Sequence, residues 1–264
     1  MHTLIGPSEF LPWKLTLFHP KVTQKRYGVA EGDYFIKGIL PVGWEDLMLP
    51  LLWPAERIKN EHTALDLIRE KTNIPVPRVL ERGFSEEFGH YLKLEWASGI
   101  KMYDIVNGIG AGAACLMTPG QHGHAAEGQC NQCRDMAMAN ADRFVNETLY
   151  PALEGLQSFQ TGLNGTVIPP PWITEGDRRE HWPVKTSDMG PDEDRRSFVL
   201  CHGDLSYHNM LVAADTLEIR WLLDWECAGF FPEEFLRIFA PTHAEYESLF
   251  TSEGRRQHFI HLLE

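Results

Sequence analysis

Ser197-Phe198-Val199-Leu200-Cys201-His202-Gly203-Asp204-Leu205-Ser206-Tyr207-His208-Asn209-Met210-Leu211-Val212, continued by Glu218-Ile219-Arg220-Trp221-Leu222-Leu223-Asp224-Trp225-Glu226, is the stretch that decides the fold. Ser197 to Cys201 is an apolar run of strand character, and Met210 to Val212 is a second. Ile219, Trp221 and Leu223 alternate with Arg220 and Leu222, as a strand requires. Ala213 to Leu217 lies between them as a turn, so the last two strands are predicted to pair as a hairpin. With the turn at its centre, the hairpin sets Asn209 opposite Asp224 at its open end, side chains roughly 5 Å apart if they share a face. An amide oxygen and a carboxylate at that separation can share a hard cation, because Mg2+ takes oxygen ligands and completes its shell with water and phosphate. Asp204, just upstream, is left to act as a base. A structural hairpin with polar ends does not account for this succession of groups.

Working back toward the N-terminus, the first ninety-odd residues read as β-rich with one helix. Val22 to Val29 and Asp33 to Gly38 are predicted strands around the turn Ala30-Glu31-Gly32. Pro54 opens a helix that runs to about Lys71 and stops before Thr72-Asn73-Ile74-Pro75-Val76-Pro77, where two prolines impose extended chain. Val79 to Arg82 and Tyr91 to Trp96 are two further strands. Within the helix, Ile58, Leu65 and Ile68 form one apolar stripe, and Glu61 sits inside it. A carboxylate there either reaches solvent at the stripe's edge or needs a buried partner. Lys37, on the otherwise apolar Tyr34-Phe35-Ile36-Lys37, is the natural candidate for that partner.

Beyond Ala97-Ser98-Gly99 the character changes. Residues 108–134 are small, Gly-rich and irregular, an insertion; Met136 to Gln160 is helical; residues 164–196, rich in Pro, Gly and charge, form a surface excursion. The expected organisation is therefore residues 1–94 as one lobe and 95–264 as a second. The 264 residues carry a net charge of −13, which argues against nucleic acid or an anionic membrane surface as a partner and suits a cationic small molecule. Five cysteines, an odd number, and an N-terminus without a basic start and apolar run predict a reducing, cytoplasmic setting. The most apolar stretch, near Leu47 to Ala55, is broken by Pro50 and Pro54 and is too short to span a bilayer.

Asp204-x4-Asn209 has the spacing of the protein-kinase catalytic loop. His202-Gly203-Asp204, in place of His-Arg-Asp, resembles the aminoglycoside phosphotransferase and choline kinase superfamily. Asp224-Trp225-Glu226-Cys227-Ala228-Gly229 falls where that family carries its metal-binding Asp. Asn60 to Leu65 through Ile74-Pro75-Val76-Pro77 is similar to its helix that donates a Glu to the ATP-contacting Lys, and Leu94-Glu95-Trp96 looks like its hinge. The resemblance implies an α+β, bilobal protein-kinase-like fold, with a small β-rich N-lobe and a mainly helical C-lobe. It also implies transfer of a phosphoryl group from ATP with Mg2+ to a hydroxyl of a small-molecule acceptor. In that scheme Lys37 contacts the phosphates and is held by Glu61. Asp204 is the catalytic base, with His202 supporting its loop. Asn209 and Asp224 hold Mg2+, with Glu226 assisting, and the backbone of Glu95, Trp96 and Ala97 receives the adenine.

The chain departs from the family pattern in identifiable places. No Gly-rich loop precedes Lys37, Ser206-Tyr207-His208 stands where relatives often carry His two residues after the Asp, and the segment after Asp224 is short. No Arg precedes Asp204 to dock an activation-loop phosphate, which disfavours a regulated protein kinase. The alternative is a non-catalytic kinase-fold protein that binds a nucleotide or metabolite, or the same fold adapted to other chemistry. Two further motifs stand apart from this scheme. Gly108-Ile109-Gly110-Ala111-Gly112-Ala113 fits a dinucleotide fingerprint, but Pro119-Gly120 breaks the helix that should follow. His122, His124, Cys130 and Cys133 have ligand types and a Cys-x-x-Cys spacing suited to a structural Zn2+, set against a plain His-rich insertion.

Overall fold

A computed structural model describes residues 26–31, 34–39, 52–85, 89–107, 130–174, 177, 179–187 and 197–264. The first unit is a four-stranded antiparallel sheet in the order β1-β2-β4-β3, built from β1 (Arg26–Glu31), β2 (Tyr34–Ile39), β3 (Val79–Ser85) and β4 (Gly89–Glu95). Lys37 lies on a central strand, facing Leu92 across one ladder and Gly28 across the other. The expected first strand is described from Arg26 onward, and 22–25 lie outside the described residues.

Helix α1 (Pro54–Lys71) has the bounds its proline and its stripe predict. Pro54 occupies the first turn, where a missing N–H costs nothing. At the other end the Thr72 hydroxyl donates to the Ile68 carbonyl at 2.8 Å before the Pro75 and Pro77 segment runs extended. The buried face has two halves. Ile58, Ala64, Leu65 and Ile68 pack into the core that also holds Ile74, Val76, Leu92 and Leu94, while Arg57, Asn60 and Glu61 are buried polar residues at its N-terminal end. Each aliphatic side chain buried this way contributes about 1.5–3 kcal/mol. The polar half needs partners, which are Lys37 on β2 for Glu61 and the second lobe for Arg57 and Asn60.

That lobe opens with β5 (Ile100–Lys101) and the short α2 (Met102–Asn107). Its main helical segment is α3 (Asn131–Phe144), a π-helical turn (Val145–Leu149) and α4 (Tyr150–Glu154). The helix expected over 136–160 therefore starts and ends earlier, and residues 131–134 are its first turn. The wide turn has a physical cause. Pro151 has no N–H for the Glu147 carbonyl and its ring crowds that turn, so the Tyr150 N–H bonds back to Val145 instead. Strands β6 (Gln157–Ser158), β7 (Phe198–Cys201) and β10 (Gly229–Phe231) make one sheet in the order β10-β7-β6. β5, β8 (Met210–Val212) and β9 (Ile219–Leu222) make another, ordered β5-β8-β9. Helices α5 (Pro171–Thr174), α6 (Glu233–Leu236), α7 (His243–Thr251) and α8 (Glu253–Leu263) complete the lobe around Trp172, Phe235 and Phe259. The result is the bilobal α+β, protein-kinase-like fold. Among the described residues no helix is long and apolar enough to cross a membrane.

The predicted hairpin forms, but one residue out of the expected register. Met210 pairs with Leu222, and the Leu223 N–H donates to the Asn209 carbonyl at 2.8 Å, so Leu223 and not Asp224 stands opposite Asn209. The ladder skips Arg220, passing from Leu211–Trp221 to Val212–Ile219, and the turn beyond it is closed around Leu217. This leucine adopts φ 56° and is fully buried in the core. The apolar gain of burying Leu217 outweighs the strain of a left-handed turn there.

Candidate functional site

Asp224, displaced past the end of β9, has φ 67° and ψ 53°, and begins a short 3-10 turn over Trp225–Cys227. This left-handed backbone brings its carboxylate to β2. There Asp224 pairs with Lys37, whose ammonium also lies 2.5 Å from Glu61 Oε2 and 3.0 Å from Glu226 Oε2. Lys37 is only 8% exposed and Glu61 2%. The inward Lys37–Glu61 ion pair expected from the apolar stripe is therefore present, and two more carboxylates share the lysine. Glu61, Asp224 and Glu226 bring one oxygen each within 4.8 Å of one another, the grouping able to share a metal ion among the described residues. An all-carboxylate set suits Mg2+ rather than a soft ion.

The Asp204 loop sits beside this cluster. Gly203 has φ +81°, and a Cβ there would fall 2.2 Å from the Cys227 carbonyl oxygen, so the loop and the Trp225–Cys227 turn touch backbone to backbone. His202, 2% exposed, ties them together from below. Its Nδ1 accepts from the Asp204 N–H at 3.2 Å, so its Nε2–H donates to the Leu223 carbonyl at 2.9 Å, and its ring packs on Trp225. Burial holds this imidazole neutral, down to about 4.

Asp204 itself receives the Tyr246 hydroxyl at 3.1 Å on Oδ1 and the Asn209 amide at 3.2 Å on Oδ2, the same amide donating to the Asp204 carbonyl at 2.7 Å. Loss of solvation and then the neighbouring Asp224 charge push the carboxyl up to about 7, against the lowering effect of those two donors. A carboxylate near neutrality is suited to general-base work. With its NH2 group committed to Asp204, the remaining acceptor of Asn209 is Oδ1, the atom a metal would need. His208 is also neutral, pushed down to about 4 by burial, and packs among Tyr103, Tyr207 and Tyr246.

At the expected hinge, the Glu95 N–H donates to the Arg78 carbonyl at 2.9 Å and its carboxylate accepts from the Arg78 N–H at 2.8 Å. Glu95 thus closes the strand pair, and Trp96 and Ala97 follow it toward β5, with Trp96 46% exposed. Of the suggested zinc ligands, His122 and His124 lie outside the described residues, as does the segment 108–113. Cys133 is fully buried on the inner face of α3 and Cys130 immediately precedes that helix.

Three residues of this neighbourhood escaped the sequence reading. Arg57 Nη1 donates to Glu226 Oε1 at 3.1 Å, and the Asn60 amide donates to the carbonyls of Glu226 at 3.0 Å and Ala228 at 2.7 Å. Arg57 lies one turn before Glu61 and Asn60 three residues after Arg57, so the face that drew attention to Glu61 could have flagged them. Tyr246 carries no comparable signal, because its contact with Asp204 spans 42 residues.

The model of the phosphotransferase enzyme family matches residues 47–232. No curated protein matches the chain. Among solved structures, the GDP complex of a mutant aminoglycoside 2'-phosphotransferase-IIIa is 14% identical, with 78% of this chain and 64% of that chain covered and a TM-score of 0.37. An aminoglycoside-3'-phosphotransferase of type VIII is 18% identical, covering 91% and 88%, with a TM-score of 0.42. An aminoglycoside phosphotransferase from Streptomyces rimosus in complex with ADP and streptomycin is 16% identical, covering 94% and 95%, with a TM-score of 0.38.

Proposed function

Because the chain belongs to the phosphotransferase enzyme family, we propose that it transfers the γ-phosphoryl group of ATP, with Mg2+, to a hydroxyl of a small molecule. The convergence of Lys37, Glu61 and Asp224, from a strand, a helix and a loop far apart in sequence, carries this reading. Lys37 binds the nucleotide phosphates and Glu61 holds it in place. Asn209 Oδ1 and the Asp224 carboxylate are the residues that would hold Mg2+, which when bound neutralises charge on the phosphates. The hinge backbone at Trp96 and Ala97 receives the base, since the Glu95 N–H is committed to Arg78.

Asp204 accepts the proton of the acceptor hydroxyl as its oxygen bonds to phosphorus and the bond from phosphorus to the departing ADP oxygen breaks. Its elevated carboxyl makes it a competent base near neutral pH. His202 keeps the loop in register without taking part in proton transfer, being neutral and bonded at both nitrogens. Most of the rate enhancement in such a site comes from positioning and charge neutralisation. The charge of −13 favours an amine-bearing acceptor by attraction.

The test is nucleoside diphosphate release with ATP or GTP over a panel of amino-alcohols, aminoglycosides and sugars, with Asp204→Ala as control. Acceptor-stimulated release that the substitution abolishes is the expected result. No binding of Mg·ATP or Mg·GTP by calorimetry would overturn the proposal.

A further inference from the structure

Glu226 is the group whose role the phosphotransfer scheme leaves open, since its position two residues after Asp224 suggests a second metal ligand. Its surroundings point elsewhere. The side chain, 5% exposed, lies between two cations, with Oε1 on Arg57 at 3.1 Å and Oε2 at 3.0 Å from Lys37. Its backbone is fixed as well, the Asn60 amide holding the carbonyls of Glu226 and Ala228 on either side of Cys227. Glu226 is thus bound to α1 through both its side chain and its main chain, on the helix side of the lysine.

Charge balance leads to the same conclusion. Lys37, Arg57, Glu61, Glu226 and Asp224, the groups joined by ion pairs, together carry two positive and three negative charges, with the Asp204 carboxyl beside Asp224 as a further acid. Once Asp224 is given over to a metal, the remaining four balance, as buried charges must. Were Glu226 to turn to the metal too, Arg57, 3% exposed, would lose the one carboxylate within 4.0 Å of it among the described residues. Its other partners are the Leu52 carbonyl and the Cys227 sulfur, which carry no compensating charge.

We infer that Glu226 is a second counter-ion of Lys37, and that Arg57 is the positioning residue that holds it there, rather than Glu226 being a metal ligand. The lysine is then gripped from two directions, by Glu61 from the helix and by Glu226 from the turn, and stays aimed at the phosphates when Asp224 is engaged. This inference rests on the phosphotransferase reading of the site.

Nucleotide and metal affinities separate the two roles. Calorimetry on the full chain measures ADP binding in EDTA, and a Mg2+ titration of ATP binding gives the half-saturating metal concentration. Glu226→Gln and Arg57→Lys should each weaken metal-free ADP binding about ten-fold, the loss of one charged hydrogen bond, and leave the Mg2+ half-saturation within two-fold of the starting protein. Asp224→Asn should raise the Mg2+ half-saturation strongly and serves as the contrast. A Glu226→Gln protein with unchanged metal-free ADP affinity and a ten-fold higher Mg2+ requirement overturns the inference while leaving the phosphotransferase reading intact. An unsubstituted protein that binds no nucleotide overturns both. Melting temperatures of Lys37→Met, Glu226→Gln and the double variant give a readout independent of nucleotide. Direct pairing requires that the second substitution cost less in the presence of the first, and additive losses refute it. Where Glu226→Gln yields no folded protein, Glu226→Asp supplies the same comparison.

Discussion

Replacing Asp204 by Asn should abolish turnover and stabilise the fold, with a gain that depends on pH in a direction fixed by the site. The carboxyl is raised from 3.8 to about 7, first by loss of solvation and then by Asp224. Its native pKa therefore lies above its unfolded one. The folded protein binds the proton more tightly, and stability falls as pH rises from about 4 to about 7. The cost is absent below that window and complete above it. At 1.36 kcal/mol per pH unit, the rise corresponds to at most about 4 kcal/mol. Asp204 is partly open to solvent, and an Asn keeps only part of the bonding to Asn209 and Tyr246, so on the order of 1–2 kcal/mol should remain. For a chain of this size that is roughly 2–8 °C in melting temperature. Thermal melts of both proteins in EDTA at pH 5, 6, 7 and 8 measure it. The difference should widen up to about pH 7 and then level off. A difference that stays flat over the series, or an Asp204→Asn protein less stable than the parent at pH 8, would refute the account of how Asp204 is tuned.

Three other perturbations test separate parts of the site. The Tyr246 hydroxyl favours ionised Asp204, so Tyr246→Phe should move the acid limb of the kcat/KM profile to higher pH and cost several-fold in rate at pH 6; an unmoved limb would detach Tyr246 from the base. Gly203→Ala forces a Cβ toward the Cys227 carbonyl at a left-handed φ, and thermal melts should show a loss of about 2–3 kcal/mol or more, whereas a melt within 1 °C of the parent would mean that the two loops do not touch. Asn60→Asp sets a carboxylate against two carbonyl oxygens, and urea denaturation should show it less stable than Asn60→Ala at pH 7, with the gap closing toward pH 4 as the acid gains a proton to donate.

Helix α1 was legible because two independent signals coincide, Pro54 at its start and a stripe that ends before Pro75. The buried Lys37–Glu61 pair was one of two readings the stripe allowed, the other being a Glu that reaches solvent at its edge, and the burial of Glu61 decides between them. The hairpin register was not legible. Counting back from the turn assumes a regular ladder, but the ladder skips Arg220 beside a turn that holds Leu217 in a left-handed conformation, and no sequence pattern announces either. The one-residue slip then decides where Asp224 points. Tyr246 was invisible for a different reason. It reaches Asp204 from α7 through packing of the second lobe, and only the assembled core brings the two together. Arg57 and Asn60 lay within reach of the reading, on the same helix face as Glu61, but their partners are the main chain and side chain of a turn more than 160 residues away.

The two halves of the α1 inner face also determine how the lobes are coupled. Its apolar half rests on the sheet through Ile58, Leu65 and Ile68, and the Lys37–Glu61 ion pair and the Arg82–His62 contact at 3.1 Å add directional ties to it. Its N-terminal part is fastened to the second lobe by directional bonds: Arg57 and Asn60 to the Glu226–Ala228 segment, the Trp53 indole to the Glu180 carbonyl at 2.6 Å, and Asn164 to the Thr63 hydroxyl at 3.0 Å. A protein kinase that switches by swinging its corresponding helix outward would have to break these bonds and leave Arg57 and Glu226 buried without each other. The bonds that build the site thus also remove the helix swing as a means of regulating it, in keeping with a loop that carries Gly203 where a phosphate-docking Arg would stand.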